Sequence, residues 1–212
     1  MTGDGDPHAG PVDLADPFIL FDQWFAEAVA KEPADPTAAA LASVGTDGWP
    51  DVRMILLKGV DPHDTPAPQR GFLFYTNLGS TKGKQLAANP RASLCFHWKS
   101  LKRQIRISGT VLRVSDAEAD AYFATRPRQA QIGAWASSQS EMLESRDVLE
   151  RKVEKYSAQF QGNVPRPEIW SGYRIVPLRF EFWRDRYFRL HDRFLFTRET
   201  PGVEWTRGLL NP

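Results

Sequence analysis

Cysteine is almost missing from this chain. Cys95 stands alone among 212 residues, so no intrachain disulfide can form. It sits in "ASLCFHW", an apolar strand-like run where a buried, inert thiol is the stronger reading. His97 shares a strand face with it, which permits a Cys–His pair, but a reactive thiol needs exposure and an electropositive setting. Histidine is also sparse. His8, His63, His97 and His191 are scattered, with no HxH or HExxH spacing and no cysteine partners, which argues against a metal centre. There is no G-x-S-x-G elbow for a nucleophilic serine. No apolar run approaches the length of a membrane span. Charge excess is lacking too: 27 basic residues face 26 acidic ones, a net +1. No global field favours nucleic acid or membrane, so any anion site must be local. The opening "MTGDGDPHAGPVD" lacks the basic and apolar regions of a secretory signal. Residues 1–15 read as a disordered tail, and the composition suits a reducing cytoplasm.

The rest of the chain, residues 16–212, reads as a single domain large enough to bury a real core. "DPFILFDQWFAEAVAKE" opens with Asp-Pro, a good cap and first-turn pair. Phe18, Phe21, Trp24, Phe25 and Val29 recur at helical spacing and predict an amphipathic helix. "TAAALASVG" and "DVRMILLKGV" flank an Asp-Gly turn, predicting a hairpin. "GFLFYTN" is a strand. "STKGKQLAANP" is a short helix capped by Ser80 and stopped before Pro90. "RASLCFHW" and "RQIRISGTVLRV" are further strands. "SDAEADAYFATRP" begins with a capping-box pattern, Ser115 to Glu118, and "RDVLERKVEKYSAQF" is another amphipathic helix. "YRIVPLRFEFWRD" and "YFRLHDRFLFTRE" predict a second hairpin, with "VEWTRGLL" as a last strand. Six or seven mostly antiparallel strands with peripheral helices predict a mainly β fold, a barrel decorated by helices.

Cations recur on several of these elements. In "FRLHDRFLF" a strand reading puts Arg189, His191 and Arg193 on one face, where like charges at period two repel unless something anionic lies across them. "FYTNLGSTKGK" runs strand, turn, helix start. It is not a P-loop, having one residue too few between its glycines and Gln85 where Ser or Thr should follow. Its free N–H groups with Ser80, Thr81 and Lys82 suit an anion, although an ordinary capped surface helix would look the same. "RMILLKG" places Arg53 on one strand face and Lys58 on the other, which charges at strand ends also explain. Gln104 shares a face with Lys102, Arg106 and Ser108, where an amide could read the edge of a ring. Tyr122 and Arg126, four apart on a helix, point together, as a plain surface stack would. Taken together, these elements offer what a phosphorylated, flat, hydrogen-bonding cofactor needs.

The segments "RMILLKG", "FYTNLGSTK", "RQIRISG", "YFATRPRQAQIGAWASSQS", "EFW" and "RLHDRFLF" resemble, in order, the motifs of the pyridoxamine 5'-phosphate oxidase family. The resemblance runs from about Asp16 to the C-terminus. It implies an FMN-binding split β-barrel and a homodimer with FMN between the subunits. The implied activity oxidises pyridoxine or pyridoxamine 5'-phosphate to pyridoxal 5'-phosphate, with hydride passing to flavin N5 and O2 giving H2O2. By the same resemblance, Arg53, Met54, Ile55, Leu56, Leu57, Lys58, Tyr75, Thr76, Ser80, Thr81, Lys82, Gln104, Gln139, Ser140, Trp183 and Arg193 match cofactor positions. Lys58, Tyr122, Arg126, Arg189 and His191 match substrate positions, with Arg189 and His191 nearest the chemistry.

The chain departs from that pattern at several points. Thr81 stands where an arginine would meet the FMN phosphate, and Ala130 where a serine would meet the substrate phosphate. The end, Leu209-Leu210-Asn211-Pro212, lacks the usual arginine. The N-terminal tail lacks the Arg/Tyr-bearing segment that often covers the substrate. Two alternatives follow: a related flavin oxidase acting on another reduced aromatic, such as a phenazine precursor, or a non-catalytic carrier of FMN or pyridoxal phosphate.

Overall fold

The computed structural model describes residues 16–212, so the tail expected over residues 1–15 lies outside the described residues. The first helix, α1 (Pro17–Lys31), begins where its sequence predicts. Asp16 Oδ1 accepts from the Phe18 N–H at 2.7 Å, and Pro17 gives up an N–H that would have had no helical partner. Phe18, Leu20, Phe21, Trp24 and Ala28 form its buried stripe. Val29, expected on that face, is 59% exposed; Ala28 takes the inward position and Val29 falls past the edge of the stripe.

Nine strands follow, more than the six or seven expected: β1 (Ala38–Val44), β2 (Pro50–Leu56), β3 (Gly59–Val60), β4 (Phe72–Asn77), β5 (Arg91–Trp98), β6 (Arg103–Arg113), β7 (Trp170–Arg184), β8 (Asp192–Thr197) and β9 (Thr206–Leu209). The run expected as one strand over "DVRMILLKGV" breaks at Leu57 and Lys58 into β2 and the two-residue β3, whereas β9 falls within the last strand expected from "VEWTRGLL". Every pairing among the described residues is antiparallel.

The sheet order is β2-β1-β5-β6-β7-β4-β3, with β8 on β7 and β9 on β8. β2 and β3 end that path on opposite sides, yet only Leu57 and Lys58 separate them in the chain. Three residue steps reach at most about 11 Å, so the sheet must curl until its ends nearly meet. The Leu57 N–H donates to Thr37 O at 2.9 Å and the Lys58 N–H to Leu73 O at 2.8 Å, which completes the closure. The result is a split barrel. β7 is long enough to serve two neighbours on one edge: Trp170–Ile175 pairs with β4, and Arg179–Arg184 with β8.

Inward residues at period two fill the barrel: Phe72 and Phe74 on β4, Leu94 and Phe96 on β5, Ile105 and Ile107 on β6, Phe180 and Phe182 on β7. α1 plugs it through Phe18 and Phe21; Phe21 meets Phe72 edge-on with centroids 4.8 Å apart. Burying each such ring stabilises the fold by about 1.5–3 kcal/mol.

A second cluster, Phe123, Ile132, Val164 and Trp170, lies under α3 (Asp116–Thr125), α4 (Arg128–Ala136) and α5 (Arg146–Gln159). α3 starts with the expected capping box between Ser115 and Glu118. No residue of α5 is fully buried; Val153 and Tyr156 lean on the cluster. No described helix is long and apolar enough to cross a membrane.

Two expectations fail locally. The strand expected from residue 188 starts only at Asp192, because Tyr187–Arg189 form a 3-10 turn in which Phe188 (φ 59°) and Arg189 (φ 62°) are left-handed. Lys102, expected on the strand face with Gln104, precedes β6 at φ 51°. A left-handed residue breaks the two-residue alternation, so neither Lys102 nor Arg189 can be placed by counting from the strand.

Candidate active site

The helix α2 (Thr81–Ala88) is capped as expected: Ser80 Oγ accepts from the Gly83 N–H at 3.3 Å. Gly83 is required here, since a Cβ would meet Leu78 O at 2.3 Å. That close approach brings the helix start against the end of β4. Lys82 Nζ donates to Gln139 Oε1 at 3.1 Å and reaches Ser80 Oγ at 3.3 Å, and Thr76 Oγ1 donates to the same Gln139 oxygen at 3.3 Å. Ser140 beside them is left-handed at φ 73°. Burial, followed by repulsion from Arg53, holds the Lys82 ammonium below its ordinary pKa. Two cations thus crowd a partly dry site, an arrangement that an anion would relieve. Thr81 is exposed at the helix start.

On β2 the expected alternation holds. Arg53 and Ile55 are half-buried, while Met54 (65%) and Leu56 (41%) are exposed. Arg53 is engaged within the chain: it donates to Ser43 Oγ at 2.6 Å, to Gln85 Oε1 at 3.0 Å and to Asp51. Leu57 is buried in the main core. Lys58 is exposed.

A stack of rings joins this group to α3. Tyr75 lies flat on Tyr122, centroids 4.0 Å apart, and beside Trp170 at 5.4 Å. Arg126 caps α3 instead of lying within it, and its guanidinium sits 4.7 Å over the Trp170 ring. Its Nη1 is buried with no hydrogen-bond partner. Burial depresses its pKa, against an opposing charge interaction with the Tyr122 phenol. An orphaned guanidinium nitrogen is costly unless a ligand completes it.

The remaining expected residues form a separate group. Gln104, Trp183 and Arg193 lie directly opposite one another across β6, β7 and β8. His191 packs against Trp183 at 4.7 Å, its Nδ1 3.0 Å from Asp185 Oδ1. Arg189 is exposed on the left-handed turn. The expected row of three like charges is therefore broken: only Arg193 is on the strand. Its anion is Glu181, which accepts from Nη2 at 2.6 Å and Nε at 3.0 Å. Hydrogen bonds and ring contacts thus link Lys82, Gln139, Thr76, Tyr75, Tyr122, Trp170 and Arg126 in one group, and strand pairing aligns Gln104, Trp183 and Arg193 in another.

Sequence reasoning missed Glu181, Trp170 and the Arg174 ion pairs. Glu181 was signalled by its place between Phe180 and Phe182, an acid at an outward strand position. Cys95 is half-buried and burial raises its thiol pKa, in keeping with the inert reading. Among the described residues no cluster of His, Cys, Asp or Glu is placed to hold a metal ion.

A curled antiparallel sheet closed on itself, with crowded cations at the start of α2 and stacked rings beside them, defines a split-barrel protein. Residues 25–160 match the family described as pyridoxamine 5'-phosphate oxidase, and residues 170–212 match the pyridoxine 5'-phosphate oxidase C-terminal dimerisation region. The pyridoxine/pyridoxamine 5'-phosphate oxidase of Rhodopseudomonas palustris strain TIE-1 is 60% identical over 92% of this chain and 90% of its own. That of Nitrobacter hamburgensis is 57% identical over 94% and 91%. Among solved structures, PhzG from Burkholderia lata 383, in complex with tetrahydrophenazine-1-carboxylic acid, superposes with a TM-score of 0.84 at 32% identity, covering 93% of each chain. A pyridoxamine 5'-phosphate oxidase-related, FMN-binding protein from Nostoc punctiforme shares the fold, with a TM-score of 0.71 at 17% identity over 91% of this chain and 97% of its own. The chain belongs to the pyridoxamine 5'-phosphate oxidase family, and so to the oxidoreductases.

Proposed function

We propose that this protein is a homodimeric, FMN-dependent oxidase that converts pyridoxine 5'-phosphate and pyridoxamine 5'-phosphate to pyridoxal 5'-phosphate. The observation that carries the reading is Arg126, a guanidinium held over Trp170 with a buried nitrogen lacking any partner. A substrate phosphate would complete it, with Tyr122 and Lys58 as further donors.

The residues present fit FMN. Ser80, Thr81 and Lys82 at the start of α2, with Gln139 and Ser140 from the loop after α4, suit its phosphate, since the N–H groups and the crowded cations there favour an anion. Tyr75 and Thr76 border the same group. The segment Arg53–Lys58, the end of β2 and the link to β3, offers an exposed apolar face at Met54 and Leu56, suited to an isoalloxazine. When bound, FMN supplies the hydride acceptor and passes the electrons to O2, giving H2O2.

The chain's own groups position and enclose. Gln104, Trp183 and Arg193 would complete the flavin site from the second subunit, which accounts for their distance in sequence and sheet from Lys82. Arg189 and His191, on the turn before β8, would cover the substrate ring and exclude water. Burial that raises the Tyr122 phenol keeps it protonated, able to donate to a phosphate oxygen.

A second reading, oxidation of a reduced phenazine precursor, draws on the 0.84 TM-score to PhzG and on Ala130. The retained Tyr122 and Arg126 favour a phosphorylated substrate. The decisive experiment is purification without added ligand, followed by anaerobic mixing with pyridoxamine 5'-phosphate. Yellow protein that bleaches, then recovers in air with release of peroxide, is the expected result. A colourless protein, or a yellow one that bleaches only with a dihydrophenazine, overturns the proposal.

A further inference from the structure

Glu181 is 2% exposed on β7, at a position whose side chain leaves the core for the outer face of the sheet. Three guanidiniums converge on its carboxylate: Arg193 Nη2 at 2.6 Å, Arg106 Nη1 at 3.1 Å and Arg179 Nη2 at 3.6 Å. A buried acid with one cation is an ordinary ion pair. Three cations on one acid leave the cluster positive; Arg106 and Arg179 are about half exposed and share that charge with solvent, whereas Arg193 is the most buried of the three.

The contacts with Arg193 are the most specific. Its Nε and Nη2 both donate to Glu181 Oε1, and its Nη1 donates to Asn211 O at 2.8 Å. A guanidinium has five N–H donors, so one donor on each terminal nitrogen remains. Because two sides of the planar group are fixed, the direction of those two donors is fixed as well. Glu181 itself is locked between Phe180 and Phe182, both fully buried.

We propose that Glu181 is a positioning residue: by gripping Arg193 it aims the two remaining donors at FMN, and it tempers the positive charge of Arg106 and Arg179 beside them. This rests on the flavin reading above. Glu181 touches neither flavin nor substrate in this role; it acts through Arg193.

The test is titration of the apoprotein with FMN, followed by quenching of flavin fluorescence, in a double-mutant cycle of Glu181→Gln and Arg193→Ala. Glu181→Gln alone should weaken FMN binding by about tenfold, the loss of one oriented charge-assisted contact. In the Arg193→Ala background the same change should have less than about a twofold effect. A merely structural glutamate would cost the same factor in both backgrounds, and that result overturns the proposal; so does a Glu181→Gln protein that binds like wild type.

Should Glu181→Gln not fold, Glu181→Asp keeps the charge while withdrawing the carboxylate by one methylene. The same pattern is then expected, and affinity equal to wild type again overturns the proposal. Wild-type protein that takes up no FMN overturns the flavin reading and this inference with it. Wild-type uptake matched by the glutamate variants overturns this inference alone.

Discussion

Tyr75 and Tyr122 lie face to face, their ring centroids 4.0 Å apart and their planes 13° from parallel. This contact ties the end of β4, where Thr76 and Lys82 both donate to Gln139, to the last turn of α3, which Arg126 caps. Such a stack contributes about 0.5–1.5 kcal/mol beyond its buried area. Tyr122 therefore does two separable things: it holds α3 in place and offers a hydroxyl. Tyr122→Phe keeps the ring and should raise the KM for pyridoxine 5'-phosphate by roughly fivefold, the loss of a neutral hydrogen bond of about 1 kcal/mol. Tyr122→Ala should raise it further and broaden thermal unfolding. Steady-state kinetics and a melting curve distinguish the two.

Arg126 should carry the larger share of phosphate binding. Arg126→Ala should cost about 1.5–3 kcal/mol in binding a phosphorylated substrate, a ten- to hundredfold rise in KM. Turnover at saturation should fall little, because the contact is made equally in ground and transition states. Arg126→Lys should recover only part of the loss, since an ammonium cannot reproduce a guanidinium stacked on Trp170. Equal KM values for the phosphorylated and unphosphorylated alcohol in the wild type would remove the phosphate from this site.

Arg174 stands behind the same helix. It donates to both Asp61 oxygens, at 2.6 and 2.9 Å, and to Glu118 Oε1 at 2.7 Å, and its side chain and that of Asp61 are only 12% and 11% exposed. Arg174→Met should destabilise the fold by about 3–5 kcal/mol, because it strands a buried carboxylate. Urea unfolding measures this. A loss under about 1 kcal/mol would mean that Asp61 finds water once the arginine is gone.

Acid should loosen α3 through Glu118. Burial alone would raise its pKa, but hydrogen bonds from Arg174 and Ser115 outweigh burial and hold it below the ordinary 4.5. A carboxylate lowered in the folded state stabilises above the unfolded-state value, and the gain is lost as pH falls through the folded-state value. Stability should therefore be flat from neutral pH down to about 4.5 and decline below it. Asp192, lowered despite burial by Arg186 and Arg184, adds to the same slope. Glu118→Gln should make the urea midpoint less sensitive to pH in that window. An unchanged slope would place the acid response elsewhere.

What the sequence disclosed, and what it hid, follows from the range of each signal. Asp16, Ser80 and Ser115 cap their helices through partners two or three residues away, and such short-range chemistry is written locally. The two hairpins were legible for the same reason. Residues 188 and 189 were not: nothing in "YFRLH" marks two left-handed residues without glycine, and the alternation that begins at Asp192 does not run back through them. The Arg174–Asp61 pair joins residues 113 apart and leaves no local trace. The like charges around Arg193 posed a genuine question, and its answer, Glu181, lay 12 residues upstream on the neighbouring strand.

The tyrosine pair also depends on a glycine. Gly172 lies opposite Tyr75 across β4 and β7, and a Cβ there would come within 2.7 Å of Tyr75 Cδ1 and Cε1. The ring has little freedom to yield, because Tyr122 and Trp170 flank it. Gly172→Ala should therefore push Tyr75 off Tyr122 while leaving the barrel core, on the far side of β4, in place. The cost in stability should stay near about 1–3 kcal/mol, as for other overpacked sites, whereas the near-UV circular dichroism of the stacked rings should change clearly. Because the stack carries Arg126, the KM for pyridoxine 5'-phosphate should rise as well. Pairing Gly172→Ala with Tyr75→Leu, which removes the obstructing ring, should relieve most of the stability loss. If the double variant is no more stable than Gly172→Ala alone, the strain lies in the β7 backbone and not in the ring.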